Sequence, residues 1–335
     1  MKNLGSACYP LGISVAAAFL AGCGGTASSL AVPAGSVPPN AVTSMSSAAY
    51  IYATDFDTNS HAELVLLTYP GGTRLGQTDL NKAMGECIDT AGHVFVTGGS
   101  SDQIYEYADG GLSPITTLKD PNGAAYACSV DPKTGNLAVA DGNYDDPGGV
   151  EIYKQAKGKP SFIAASGYYL MNCAYDPAGN LYLTAWWGNL SSRETGLLVL
   201  PAGGKKFELM STDVKLNSEP WWWPSVQWVG NHLVVSAQVS NSSKDILVLY
   251  RLSVKGKNAT SDHATQLINP RGGGPVGQVW VQGNRVMTYT YHGVTGHIAF
   301  WAYPKGGAPL RKTRGYALEC CAVSNLWGLV VTPVS

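Results

Sequence analysis

The stretch that decides the fold is CSVDPKTGNLAVA at residues 128–140, which returns as CAYDPAGNLYLT at residues 173–184. An earlier copy reads ECIDTAGHVFVT at residues 86–97. Each copy places an apolar segment before an aspartate, then a glycine with a polar neighbour, then a second apolar segment. Glycine and asparagine tolerate positive φ, so the pattern predicts two strands joined by a tight turn.

Later parts of the chain keep this turn in a degenerate form. The residues that mark successive turns lie 41 to 53 positions apart: Gly92, Gly135, Gly179, Gly230, Gly283 and Ser324. A third apolar strand recurs after each of the first five turns, as at 103–107 and 246–250. A period of this length accommodates one four-stranded blade. The sequence therefore predicts an all-β, six-bladed β-propeller, with seven blades as the alternative because Leu326 to Val334 can supply an additional strand.

The two ends of the predicted ring complement each other. Ala49 to Thr54 and Leu64 to Tyr69 resemble the second and third strands of a blade that lacks its first strand. Leu318 to Val323 resembles a first strand without a third. We therefore expect the ends to share one blade, which removes exposed sheet edges. The net charge of −1 offers no attraction for nucleic acid, and the domain is expected to be monomeric.

The N-terminus carries an export signal. A positive charge at Lys2 precedes an uncharged run from Leu11 to Leu20, which is too short to span a bilayer. The run ends at Leu20-Ala21-Gly22-Cys23, which resembles the lipobox of bacterial lipoprotein precursors. This resemblance implies a signal peptide over 1–22, a lipidated Cys23 followed by a flexible tether to residue 48, and the propeller over 49–335.

The same resemblance predicts a location. Lipid on Cys23 would anchor the protein in a membrane of the bacterial cell envelope. An aspartate directly after the lipidated cysteine resembles an inner-membrane retention signal. Residue 24 is Gly instead, so the outer membrane or the cell surface is favoured.

Over residues 49–335, the Asp-x-x-Gly-Asn-Leu-Tyr-Val pattern resembles NHL-type and lactonase-type propellers. Pro121-Asn122-Gly123 matches a motif of the gluconolactonase-like family, in which Glu, Asn and Asp residues bind a divalent metal. The resemblance implies a comparable set of metal ligands, each near the start of the first strand of a blade: Glu86, Asn122, Asn172, Glu219 and Glu319. Such oxygen ligands suit Ca²⁺ or another divalent cation that could polarise a lactone carbonyl. No match to that family's later catalytic aspartate is found, so no catalytic residue is assigned and a lactonase-like hydrolase is the alternative function.

Loops of two kinds open on one face of a propeller: those from a fourth strand to the next first strand, and those from a second to a third strand. The candidate ligand-binding residues on this face are Trp186, Trp187, Trp221, Trp222, Trp223, Tyr144, Tyr168, Tyr169 and Arg271. Aromatic rings stack on apolar faces while polar neighbours bind hydroxyl groups, which is typical of saccharide- and peptide-binding surfaces. The first functional hypothesis is a binding module for a saccharide or a protein partner.

Two alternatives for these aromatic residues stay open. The rings could instead cap the core between blades, and the protein could be a structural scaffold in an envelope assembly. Four further tryptophans fall on predicted strands and are expected in the core: Trp228, Trp280, Trp301 and Trp327. A nearby acidic loop with Asp141, Asp145 and Asp146 could bind Ca²⁺ structurally.

Five cysteines follow the tether, an odd number for an oxidising compartment: Cys87, Cys128, Cys173, Cys320 and Cys321. Cys128 and Cys173 occupy the same repeat position on adjacent blades, which predicts that they pack as small apolar residues too far apart to bridge. Cys320 and Cys321 could form a vicinal disulfide, or one of them could bond Cys87.

Overall fold

The structure is a computed structural model. It describes ten stretches of the chain: 48–56, 61–99, 101–142, 148–188, 194–216, 224–241, 244–268, 275–292, 295–312 and 325–332. Among these residues the only helical segment is a short 3₁₀ turn at Lys154–Ala156. No helix there is long and apolar enough to cross a membrane.

The strands form six blades, in which neighbouring strands are antiparallel except for one short outer pairing in blade 5. Blade 1 contains β1 (Ala49–Phe56), β2 (His61–Tyr69) and β3 (Arg74–Asn81). Blade 2 contains β4 (Glu86–Ile88), β5 (Val94–Thr97), β6 (Gln103–Tyr107) and β7 (Pro114–Lys119). Blade 3 contains β8 (Ala125–Val130), β9 (Leu137–Asp141), β10 (Gly149–Tyr153) and β11 (Ser161–Ala164). Blade 4 contains β12 (Tyr169–Tyr175), β13 (Leu181–Trp187), β14 (Glu194–Leu200) and β15 (Glu208–Leu209).

Blade 5 has an additional outer strand. It contains β16 (Ser211–Thr212), β17 (Val226–Val229), β18 (His232–Asn241), β19 (Lys244–Lys255) and β20 (Asn258–Ile268). Blade 6 contains β21 (Pro275–Gln282), β22 (Arg285–His292), β23 (Thr295–Ala302) and β24 (Arg311–Lys312), and the last strand is β25 (Asn325–Val331). β16 runs parallel to the start of β20 at the outer edge of the blade.

The ring closes where the sequence predicts, but through a different strand. β25 pairs with β1 and is the innermost strand of blade 1, so that the two ends share that blade. The predicted closing strand, Leu318 to Val323, lies outside the described residues. The segment from Leu326 onward, which suggested a seventh blade, instead supplies this inner strand. Six blades are therefore confirmed and the seven-bladed alternative is wrong.

A close backbone approach makes this closure possible. A side chain at Gly328 would lie 2.6 Å from Thr54 Oγ1 and 2.7 Å from both Glu86 Cγ and the Met84 carbonyl oxygen. Without it, the Gly328 amide donates to Thr54 Oγ1 at 2.7 Å, and that hydroxyl donates to the Met84 carbonyl at 2.6 Å. The Gln278 side chain joins blades 6, 1 and 2, because its oxygen accepts from the Leu329 and Glu86 amides while its nitrogen donates to the Glu86 carbonyl.

Apolar residues alternate along the strands and bury both faces of each blade. On β1, Ile51 and Ala53 pack against blade 6, whereas Tyr52 packs against blade 2. Six apolar clusters result, one between each pair of neighbouring blades, and Trp301 is fully buried in one of them as predicted. The core is therefore a closed ring of interblade layers.

The repeated aspartate shapes the turn between the first and second strand. Asp176 Oδ1 accepts hydrogen bonds from the amides of Ala178 and Asn180, both within 2.9 Å. Asp89 and Asp131 bind the amides of their own turns in the same way. We call the side of the ring with these turns the turn face and the opposite side the loop face. Because β1 runs toward the loop face, the described propeller begins at the turn face.

Candidate functional site

Four predicted aromatic residues lie together at the loop face of blade 4. Tyr169 pairs directly with Trp186 across β12 and β13, and their rings stack with centroids 5.0 Å apart. On the other side of β13, Tyr168 contacts the Trp187 ring edge to face at 5.6 Å. Neighbouring residues of a strand point to opposite sides, which explains why each tryptophan meets a different tyrosine.

Only part of this cluster is accessible. Tyr169 is buried, whereas Tyr168, Trp186 and Trp187 are half-buried. A side chain at Gly196 would come within 2.8 Å of the Trp187 ring, so that glycine lets the ring lie across β14. The Trp187 indole N–H donates to Glu194 Oε2 at 3.0 Å, which places a carboxylate beside the ring.

Two residues of the cluster were not among the ligand-binding residues predicted from the sequence. Tyr126 on β8 contacts Tyr169 with ring centroids 5.9 Å apart and extends the aromatic surface toward blade 3. Glu194 is the first residue of β14, and the register between β13 and β14 brings it opposite Trp187. The remaining predicted ligand-binding residues lie outside the described residues: Tyr144, Trp221, Trp222, Trp223 and Arg271.

The described members of the predicted metal set make three separate contacts. Asn172 Oδ1 accepts from the Val226 amide at 3.4 Å, and Asn122 donates through its amide to Glu151 at 2.5 Å. Glu86 lies with its Cγ beside Gly328 of the closing strand. Within the described stretches, no group of three His, Cys, Asp or Glu side chains is arranged to hold a metal ion. Glu219 and Glu319 lie outside those stretches, so the metal-dependent hydrolase stays a prediction.

Glu86 is a buried carboxyl group between blades 1 and 2. Only 1% of the residue is exposed, and neither carboxyl oxygen has a hydrogen-bond partner among the described residues. Burial raises the pKa of Glu86 well above its usual value. Burial therefore favours the neutral form of the Glu86 carboxyl group over the charged form.

A pair of buried carboxyl groups lies at the loop-face end of blades 2 and 3. Asp120 follows β7 and binds the amides of Asn122 and Gly123 through Oδ1. Glu151, on β10, accepts from the Asn122 side chain and, at 2.6 Å, from the Tyr153 hydroxyl. Burial raises the pKa of Asp120 and raises the pKa of Glu151 to about 7. Burial thus disfavours the charged form of both carboxyl groups, and Glu151 titrates near neutral pH.

The disulfide corrects the cysteine prediction. Cys87 and Cys128 are bonded, with their Cα atoms 5.5 Å apart, so Cys128 is not simply an apolar core residue. Cys128 and Cys173 each precede their turn aspartate by three residues, whereas Cys87 precedes Asp89 by two. That one-residue offset turns the Cys87 side chain to the opposite side of its strand, toward blade 3, where it meets Cys128.

The third of these cysteines packs as predicted. Cys173 is free and buried beside blade 3, and burial raises the pKa of its thiol to about 12. Cys320 and Cys321 lie outside the described residues.

The inner strands enclose a central cavity of about 240 Å³. Trp228 and Trp280, which were expected in the core, line it and remain partly exposed. Both also pack against interblade clusters, so the core prediction holds for only part of each ring. They lie close to the turn-face ends of their strands, where the channel opens.

No family model matches the sequence, and no curated protein matches it. The fold is similar to that of TolB from Acinetobacter baumannii, with a TM-score of 0.56 and 12% identity over 86% of this chain and 67% of TolB. It is also similar to a protein of unknown function from Bacteroides caccae, with a TM-score of 0.55 and 12% identity over 85% of this chain and 99% of that one. At this identity the likeness shows the β-propeller fold alone, which is consistent with a binding or scaffold module.

Proposed function

We propose that the protein is a membrane-anchored, extracytoplasmic binding module that recognises a saccharide through the aromatic cluster of blade 4. The observation that carries this proposal is the pairing of Trp186 with Tyr169 and of Trp187 with Tyr168 at the loop face. The rings offer flat apolar surfaces to the C–H faces of a sugar, and Glu194 offers a hydroxyl acceptor beside them. A protein partner that uses the same surface is the alternative outcome of the test.

The anchor in this proposal is the lipid on Cys23. A tether that enters the propeller at Ala49 joins it at the turn face, the side opposite the aromatic cluster. Replacement Cys23→Ala should move the protein from the membrane fraction to the soluble fraction, and label from radioactive palmitate should be lost. Unchanged labelling of the variant would contradict lipid attachment at this cysteine.

The binding test compares two aromatic positions of the same protein. We expect a screen of immobilised glycans to give saturable binding to the full chain, and Trp187→Ala or Trp186→Ala to weaken it by about tenfold or more, because loss of a stacked ring removes about 1.4 kcal/mol or more. The matched control is Phe162→Ala, which removes an aromatic ring that is 44% exposed on the outer strand of blade 3.

Three outcomes separate the hypotheses. Selective loss in the tryptophan variants supports the proposal. Equal loss in Phe162→Ala, or glycan binding that neither tryptophan affects, would overturn it. Absence of glycan binding combined with a protein partner that both tryptophan variants release would assign the same surface to protein recognition.

A further inference from the structure

Blade 5 overhangs the turn face. β19 and β20 span 12 and 11 residues and are the longest strands in the described part of the chain. Their hairpin, with Gly256 and Lys257 at its tip, projects from the turn face beside blade 4. β16 supports the start of β20, where the Ser211 amide donates to the Lys257 carbonyl at 2.8 Å. The β19–β20 hairpin is therefore held in place by β16, and it forms one wall of the space beside blade 4.

Between this wall and blade 4 lies a pocket of about 330 Å³. Its aromatic lining is the stacked pair Tyr182 and Trp228, whose ring centroids are 5.5 Å apart with planes inclined by 18°. Trp228 also lines the central cavity, so its ring separates the pocket from the channel mouth. The volume lies at the small end of the range for ligand sites, about 300–1,000 Å³.

The polar lining has an inner and an outer part. On the inner side, Asp176 Oδ2 accepts from the Asn180 side chain and the Tyr182 hydroxyl, which fixes these groups in place. On the outer side, Glu208 Oε2 and Lys257 Nζ lie 3.4 Å apart with 40% and 62% of their side chains exposed. The rim thus presents a hydrogen-bond acceptor and a donor side by side.

We infer that this turn-face pocket binds a single neutral hexose unit. The partly exposed Trp228 ring, backed by Tyr182, suits the C–H face of a pyranose, while adjacent donor and acceptor groups suit vicinal hydroxyls. A charged ligand would have to displace either Glu208 or Lys257 from their ion pair. An apolar ligand would offer no hydroxyl group to hydrogen-bond with either side chain. The inference goes beyond the proposed function because no residue of the blade 4 aromatic cluster at the loop face lines this pocket.

The test uses the full chain and three named probes: methyl glucoside, methyl galactoside and methyl mannoside. We expect saturation-transfer NMR and tryptophan fluorescence to detect at least one of them with a Kd on the order of millimolar, as befits about a dozen heavy atoms. Lys257→Ala and Glu208→Gln should each weaken binding severalfold, and Trp228→Leu by about tenfold or more. Lys255→Ala, on the exposed stem of the same hairpin, is the matched control and should leave the Kd unchanged.

The variants also distinguish this pocket from the loop face. The rim variants change exposed side chains and should retain the thermal unfolding midpoint within a few degrees, so they test binding even if Trp228→Leu fails to fold. Binding that Trp187→Ala abolishes and Lys257→Ala spares would place the sugar at the loop face and overturn the pocket. Absence of binding to all three probes by the folded protein would also overturn it. Neither result depends on the glycan screen for the loop face.

Discussion

The buried pair Asp120 and Glu151 predicts how stability depends on pH. Glu151 is fully buried, and its pKa rises from 4.5 to about 7 in the folded chain. Between these two values the folded state binds the proton and the unfolded state releases it, so this contribution to stability is fully present below pH 4.5 and is lost as the pH rises through 7. This rise in the pKa of Glu151 corresponds to about 3 kcal/mol.

Replacement Glu151→Gln removes the titrating group and keeps a neutral side chain of similar size. As the pH rises from 4.5 to 8, we expect the free energy of unfolding of the wild-type protein to fall. The fall should exceed that of the variant by up to about 3 kcal/mol. Urea titrations across this range, without reductant, measure the difference. The matched control is Glu63→Gln, which replaces a half-buried carboxylate that accepts from Gln77 at 2.9 Å. Parallel curves for wild type and Glu151→Gln would refute the raised pKa of Glu151.

Three further predictions concern closure and thiols. Gly328→Ala should lower the unfolding free energy by about 1–3 kcal/mol, because the new methyl group meets Thr54 and the Met84 carbonyl; an unchanged urea midpoint would contradict this contact. The double variant Cys87→Ser, Cys128→Ser should lose about 2–4 kcal/mol, and dithiothreitol should destabilise only the wild type. Cys173 should resist iodoacetamide in the folded protein, as judged by peptide mass spectrometry, and react once urea unfolds the chain, because the thiol is buried with a pKa of about 12.

The fold could be predicted from the sequence because its turns repeat. The aspartate and glycine of each turn act locally, and Gly179 indeed has a positive φ of 91°. The closing strand was misplaced because Ser324 and Asn325 resemble a turn, whereas β25 begins at Asn325. Pairing with β1, far away in the sequence, decides that assignment and no local pattern shows it.

The site was predictable only where strand neighbours define it. Tyr169 and Trp186 were predicted on the same face from the loops in which they lie, and the structure shows that they occupy facing positions of one hairpin. Glu151 bonds Asn122, which comes from the connection between two blades, and only the folded ring brings them into contact. Likewise, the disulfide depends on the side of the strand to which Cys87 points, which a one-residue offset reverses.

Closure through β25 also fixes an order of events during synthesis. Gly328 lies 274 residues after its partner Thr54, so β1 leaves the ribosome long before its inner neighbour. Until β25 follows, β1 presents an unpaired edge that another chain can pair with. A stop codon or a proteolytic cut before Asn325 would remove only one strand from blade 1, yet it would turn a closed ring into an open arc prone to aggregation.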